Sequence, residues 1–207
     1  MSQAFPSLTL SRVLIIVLDV LLGMFVGAVL AFVTALLLIT AQVHAMQTTV
    51  NGWSITMTCG KVTNGILVRA ACAEALPMVN LPEEATYWTA TEDGSGQELT
   101  GRHTYVLHFP PGGLPPNSAF WSLTATNIQG RLVANPFNRY SVGDRSGLVA
   151  NPDDSIDIYI QHGVPAGHEA NWLPVPTGNF KLWLRVYQPG AAILSGKYHV
   201  PPVMEVH

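Results

Sequence analysis

Charge is scarce in this chain of 207 residues: 11% are Asp, Glu, Lys or Arg, against 48% that are apolar. The ten Lys and Arg form no basic stripe and the net charge is −3, which argues against a nucleic-acid-binding role. Cysteine is scarcer still. Its two copies allow neither a CxxC redox pair nor a zinc set. Also missing are HExxH, GxSxG, Walker A and GxGxxG sequences, so the usual metalloprotease, hydrolase and nucleotide signatures do not apply. Ser146 lies in Gly143-Asp144-Arg145-Ser146-Gly147, which lacks nucleophile-elbow spacing. His103 and His108, five apart in an expected strand, point to opposite faces and cannot share an ion. His162 and His168 could meet only across a Pro-Gly loop. The adjacent pairs Glu83/Glu84 and Asp153/Asp154 read as solvated turn carboxylates. No cofactor, metal site or catalytic residue follows from this inventory.

One long apolar run is present. From Val13 to Ile39, 23 of 27 residues are apolar, and Val20 to Ile39 carries no charge. Twenty helical residues span roughly 30 Å, the thickness of a bilayer core. Export signals need an apolar region of only about 7–15 residues, so residues 1–45 read as a cytoplasmic tail and retained transmembrane anchor. Val43-His44-Ala45 resembles a cleavage site, which leaves a mature chain starting at Met46 as the alternative. Arg12 precedes the run and the next basic residue is Lys61, which places the N-terminus in the cytoplasm and the remainder outside. Asp19, Gly23, Gly27, Ala31 and Ala35 recur every four residues, a small-residue stripe on which a second membrane helix or a second copy could pack. With Val20 to Ile39 as the span, Asp19 sits at the headgroup boundary.

Residues 46–207 hold 16 Gly and 14 Pro, which disfavours long helices and favours short strands. Ile156, Ile158 and Ile160 alternate with polar residues over Ser155 to Gln161. Phe180, Leu182, Leu184 and Val186 alternate with Lys181, Trp183, Arg185 and Tyr187 in the same way. Further strands are expected at Thr86–Thr91, His103–Phe109, Ala119–Thr126, Arg131–Ala134, Arg139–Val142 and Lys197–Val200. The pattern predicts a mainly β domain, an antiparallel jelly-roll-like β-sandwich. One covering helix is expected from Asn64, a possible cap, to Leu76, with Pro77 as the stop. Cys59 and Cys72 lie either side of its start. In an oxidising compartment they would bridge; otherwise they are two buried thiols. Trp183, Arg185 and Tyr187 share an outward face, suited to sugar or carboxylate binding or to a second packed layer.

An ordered set of fragments runs through this domain: Arg69-Ala70-Ala71, Tyr87, Asp93-Gly94 with Gly96, Leu99-Thr100-Gly101 and Tyr105. It continues with Phe120-Trp121-Ser122, Asn138-Arg139-Tyr140, Asn171-Trp172-Leu173-Pro174 and Leu184-Arg185-Val186-Tyr187. In that order, from Trp53 to Val203, the chain resembles the bacterial domain of unknown function numbered 1214. The resemblance implies an antiparallel jelly-roll-type sandwich that often follows a second domain of unknown function, 1254; here a membrane helix stands in its place. It implies no reaction. The recurrent positions it carries over as candidate ligand contacts are Trp121, Arg139, Tyr140, Asn171, Trp172 and Arg185. Arg139, Arg185 and Asn171 could form a polar pocket, or they could simply satisfy loop carbonyls. At Asn151-Pro152-Asp153-Asp154-Ser155 the family's turn has Asp-Gly-Ser, so Asp154 occupies a glycine position.

The expected function is a binding or structural module, anchored in a bacterial inner membrane by lipid contact along the helix and facing the periplasm. Its partner would be an envelope glycan or protein. The alternatives are a carbohydrate- or ester-active hydrolase or lyase, and an accessory subunit of a membrane complex held through the Asp19–Ala35 stripe.

Overall fold

The computed structural model describes residues 9–76 and 79–206. The tail expected at residues 1–8 and the helix stop expected at Pro77 lie outside them. The apolar run forms one helix, α1 (Leu10–Met46), whose Leu, Val and Phe side chains are exposed on every side. Gln47 alone separates it from β1 (Thr48–Val50), which pairs with β2 (Trp53–Ile55). Then come α2 (Ile66–Ala75), β3 (Ala85–Ala90), β4 (Thr104–Phe109), β5 (Asn117–Asn127), β6 (Ser141–Gly143) and β7 (Ile156–Gln161). A 3-10 turn (Glu169–Asn171) leads into β8 (Trp172–Pro174), followed by β9 (Phe180–Pro189), α3 (Ala191–Leu194) and β10 (Val203–Val206).

The strands form two sheets, ordered β1-β2-β3-β9-β5-β6 and β10-β4-β7-β8. The domain is therefore mainly β, with a helix before it. Pairing is antiparallel throughout except for β7 with β8, which run parallel. The period-2 alternation does the sorting: Leu182, Leu184 and Val186 of β9 and Ile158 and Ile160 of β7 are fully buried between the sheets. Trp53, Trp121, Tyr105, Phe109 and Phe180 fill the space between them. Phe109 meets Trp121 with ring centroids 5.7 Å apart, and Tyr105 meets Phe180 edge-on at 6.0 Å.

Two expected strands are absent. After β5 the chain turns at Asn127–Gly130, and Arg131–Ala134 leaves the sheet without pairing, shortly before Pro136. At Lys197–Val200 the amides of Lys197 and Tyr198 are taken by the Ala192 carbonyl, and the Val200 carbonyl accepts from Asn51 Nδ2. Pro201 and Pro202 then offer no donors, so the strand begins only at Val203. The helix also differs at its start: Gly65 is the N-cap, while Asn64 Nδ2 donates to the Thr58 carbonyl at 2.8 Å. Cys59 and Cys72 form a disulfide, Cα atoms 5.6 Å apart, tying α2 to the segment after β2. The helix packs beside the last turns of α1.

The loop before β7 shows why Asp154 is out of place. Asp153 Oδ1 accepts from the amide and hydroxyl of Ser155, closing the turn. Asp154 is then forced to φ +65°, a left-handed conformation that costs a residue with a Cβ but not glycine. Its side chain is exposed and makes no hydrogen bond. Asp154→Gly should raise stability by about 0.5 kcal/mol, or roughly 1–2 °C in Tm, by differential scanning calorimetry.

Candidate functional site

At one end of the sandwich, the chain between β5 and β6, the β7–β8 loop and the segment after β8 enclose a cavity of about 340 Å³. Arg139, Tyr140 and Trp172 line it, together with Phe137, His162 and Pro174. Its walls owe their shape to local chemistry. Asn135 Oδ1 accepts from the amides of Phe137 and Arg139, folding a tight turn that presents Phe137 outward. Phe137 meets Trp172 edge-on at 5.0 Å. Trp172 is buried, and its indole N–H donates to the Gln161 carbonyl at 2.9 Å, which fixes the ring against β7. On the far wall, Gly101 lies so close to the Pro176 carbonyl that an added Cβ would sit 1.8 Å from its oxygen. This close approach accounts for the glycine in Leu99-Thr100-Gly101.

Arg139 is held in place from behind the lining. Its Nη1 donates to the Glu169 carbonyl at 2.6 Å and its Nη2 to the Ala170 carbonyl at 2.5 Å, a fork that holds the 3-10 turn. Burial pulls the guanidinium below its usual pKa. His162 Nδ1 lies 2.8 Å from the Val175 carbonyl; a carbonyl only accepts, so Nδ1 carries the proton and Nε2 is left as an acceptor in the neutral ring. No Asp or Glu is among the lining residues.

The other expected ligand contacts lie elsewhere. Asn171 is buried just behind the cavity, with its amide committed to backbone: Oδ1 accepts from the Val149 amide, and Nδ2 donates to the Val149 and Asp157 carbonyls, each at 2.8 Å. Trp121 points into the core. Arg185 is on the opposite, outward face of the larger sheet, where Nη1 donates to Thr124 Oγ1 at 3.1 Å and the guanidinium lies 5.6 Å from the Trp183 ring. Of the six, three share the cavity. Phe137 and His162 join them without belonging to any of the recurrent fragments. For Phe137 the available signal is its place two residues after Asn135, whose side chain favours a turn.

Histidine placement leaves no metal centre among the described residues. His103 pairs with Glu205, and His108 Nδ1 lies 2.6 Å from Asp157 Oδ1. His168 stacks on Tyr159 with centroids 4.2 Å apart. Along α1, a Cβ added at Gly23 or Gly27 would meet nothing within 4 Å.

The profile of a family described as protein of unknown function, DUF1214, matches residues 84–191, which include the cavity and both central strands of the larger sheet. The chain belongs to the DUF1214 family. Among solved structures, the VPA0106 protein from Vibrio parahaemolyticus is 31% identical over 70% of this chain, with a TM-score of 0.60. This DUF1214 chain spans 36% of the length of that protein. An uncharacterised protein from Burkholderia cenocepacia is 15% identical over 59% of the chain and 29% of its own, with a TM-score of 0.39. No curated protein matches. The family fragments now have physical roles: Gly101 allows a close backbone approach, Trp121 fills the core, and Asn171 and Arg139 brace loops around the cavity.

Proposed function

We propose that this DUF1214 chain is a single-pass protein of a bacterial inner membrane, with its N-terminus cytoplasmic and its sandwich periplasmic, and that the sandwich binds an envelope glycan in the Trp172 cavity without transforming it. Several features support the anchor. Helix α1 is 37 residues long with a mean hydropathy of 2.8 in its most apolar window, and none of that window is buried. The Cys59–Cys72 disulfide suits an oxidising compartment. Partition of the chain into the carbonate-washed membrane pellet checks this part; recovery in the supernatant contradicts it.

The observation that carries the binding reading is the cavity's composition. Aromatic and proline walls offer flat apolar surface to a sugar ring, and the few polar groups fix its orientation. No carboxylate lines the cavity, so the Asp/Glu pair by which glycosidases usually cleave a sugar bond is missing from it. The test uses the full chain in detergent with purified peptidoglycan fragments. Phe137→Ala removes an exposed rim residue, so the fold is preserved. It should weaken binding by about tenfold, while the ligand-free Tm falls by no more than a few degrees for the lost edge-on contact with Trp172. Equal binding by wild type and variant would contradict the reading.

A second reading rests on His162, whose Nε2 acceptor could serve as a base in a hydrolase or lyase. Turnover of glycan or ester substrates that disappears in His162→Ala would favour it.

A further inference from the structure

We infer that a second cavity, where α1 meets the larger sheet, holds the phosphate of a phospholipid headgroup; this rests on the membrane reading above. The cavity measures about 310 Å³. Thr40 and Val43 on the last turns of α1 form one wall, and the end of α2, with Glu74, forms another. Its floor is the outward face of β2, β3 and β9, with Tyr87, Thr89 and Lys181.

Depth is the first argument. If the span ends at Ile39, Thr40 and Val43 lie about 1.5 and 6 Å further along the helix. The headgroup layer on each side of a bilayer is about 5–8 Å thick, so both residues fall within it. A cavity walled by these turns faces headgroups, not acyl chains.

Charge is the second. Lys181 is only partly exposed, and its ammonium lies 4.3 Å from the Trp183 ring centroid. It has no carboxylate partner among the described residues, whose ion pairs are His103–Glu205 and His108–Asp157. Burial accordingly pulls its pKa down. A half-buried cation without a counter-ion is costly unless an anion arrives. The Thr40, Thr89 and Tyr87 hydroxyls on the same lining can donate to phosphate oxygens. Glu74 is exposed and shares this lining, where it can meet the ammonium of an ethanolamine headgroup while Lys181 meets the phosphate. A ring sugar is a poorer match, because the lining lacks the clustered aromatic and proline walls of the Trp172 cavity.

The full chain, purified in detergent and supplied with phosphatidylethanolamine, is examined by native mass spectrometry. It should retain one phospholipid, and diacylglycerol, which lacks the phosphate, should not be retained. Lys181→Met keeps an unbranched apolar stem over Trp183 without the charge and should cut the lipid-bound fraction by about tenfold. Thr89→Val should reduce it less, and both variants should keep the wild-type Tm. Equal retention of diacylglycerol, or unchanged retention in Lys181→Met, overturns the inference. Displacement of the lipid by millimolar inorganic phosphate would overturn the lipid assignment in favour of a free phosphate. Carbonate extraction run in parallel separates the two readings. A chain in the membrane pellet whose lipid ignores Lys181 refutes this site alone, whereas a chain in the supernatant refutes the anchor as well.

Discussion

Asn171→Ala should lower the stability of the sandwich by about 3–4 kcal/mol, the sum for two or three buried backbone groups left without partners. The side chain is 6% exposed, so water cannot replace it. Three segments depend on it: the Val149 loop, whose amide and carbonyl it satisfies, the start of β7 at Asp157, and β8 itself. Because β7 and β8 run parallel, no tight hairpin positions them, and the long crossover between them needs such a clip. Asn171→Asp makes a sharper test. A carboxylate there keeps the acceptor for Val149 but faces two carbonyls with no donor. Its folded-state pKa must therefore be raised, so the variant should recover relative to wild type as pH falls, when the acid can donate one bond. Guanidinium unfolding of both variants at pH 5 and 7.5 gives the comparison. A loss below about 1 kcal/mol would show that the loop finds other partners.

Trp121→Ala should cost as much or more, about 3–5 kcal/mol. Trp121 is 2% exposed, packs on Phe109 across the two sheets, and stands opposite Val186 in the register of β5 with β9. Truncation leaves a void walled by residues of both sheets, which the rigid ladders cannot collapse into. Arg185→Ala, one position earlier along β9 and on the other face, should cost under about 1.5 kcal/mol, since it gives up a single hydrogen bond to Thr124 and a distant ring contact. The contrast separates the core role of Trp121 from a role at a ligand site: Tm falls steeply for Trp121→Ala, while Phe137→Ala acts mainly on binding.

That parity is written in the order of the residues. Leu184 and Val186 alternate with Trp183 and Arg185, so Arg185 could not share an inward cavity with residues that pack on Val186. The strands with one buried face, β7 and β9, are readable for the same reason: burial on one side imposes the alternation. Other elements carry no such mark. In β8, Trp172, Leu173 and Pro174 are all buried, so the strand has no period, and its parallel partner is set by tertiary packing. The β1–β2 hairpin is missing from the strands expected of the sequence, although its turn signal is present. Asn51 and Gly52, at φ +57° and +80°, make the two-residue turn that Asn-Gly favours, but three-residue strands with an exposed β1 give almost no pattern around it. The cavity is half legible. Motif residues identify Arg139, Tyr140 and Trp172, but which of the six converge depends on the loop after β5, where Arg131–Ala134 leaves the sheet and Val133 and Ala134 join the cavity wall.

The junction at Gln47 has a mechanical consequence. With a single residue between α1 and β1, tension drawn along the helix enters the larger sheet at its edge strand. The β1–β2 ladder has three residue pairs and would peel open pair by pair, like a zip, rather than resist in shear. Peeling then reaches Cys59, where the disulfide carries the load directly to Cys72 and shields the residues between them from extension. Under force the domain would yield first at this small hairpin, and Trp53, which β2 contributes to the packed interior, would be drawn out with it.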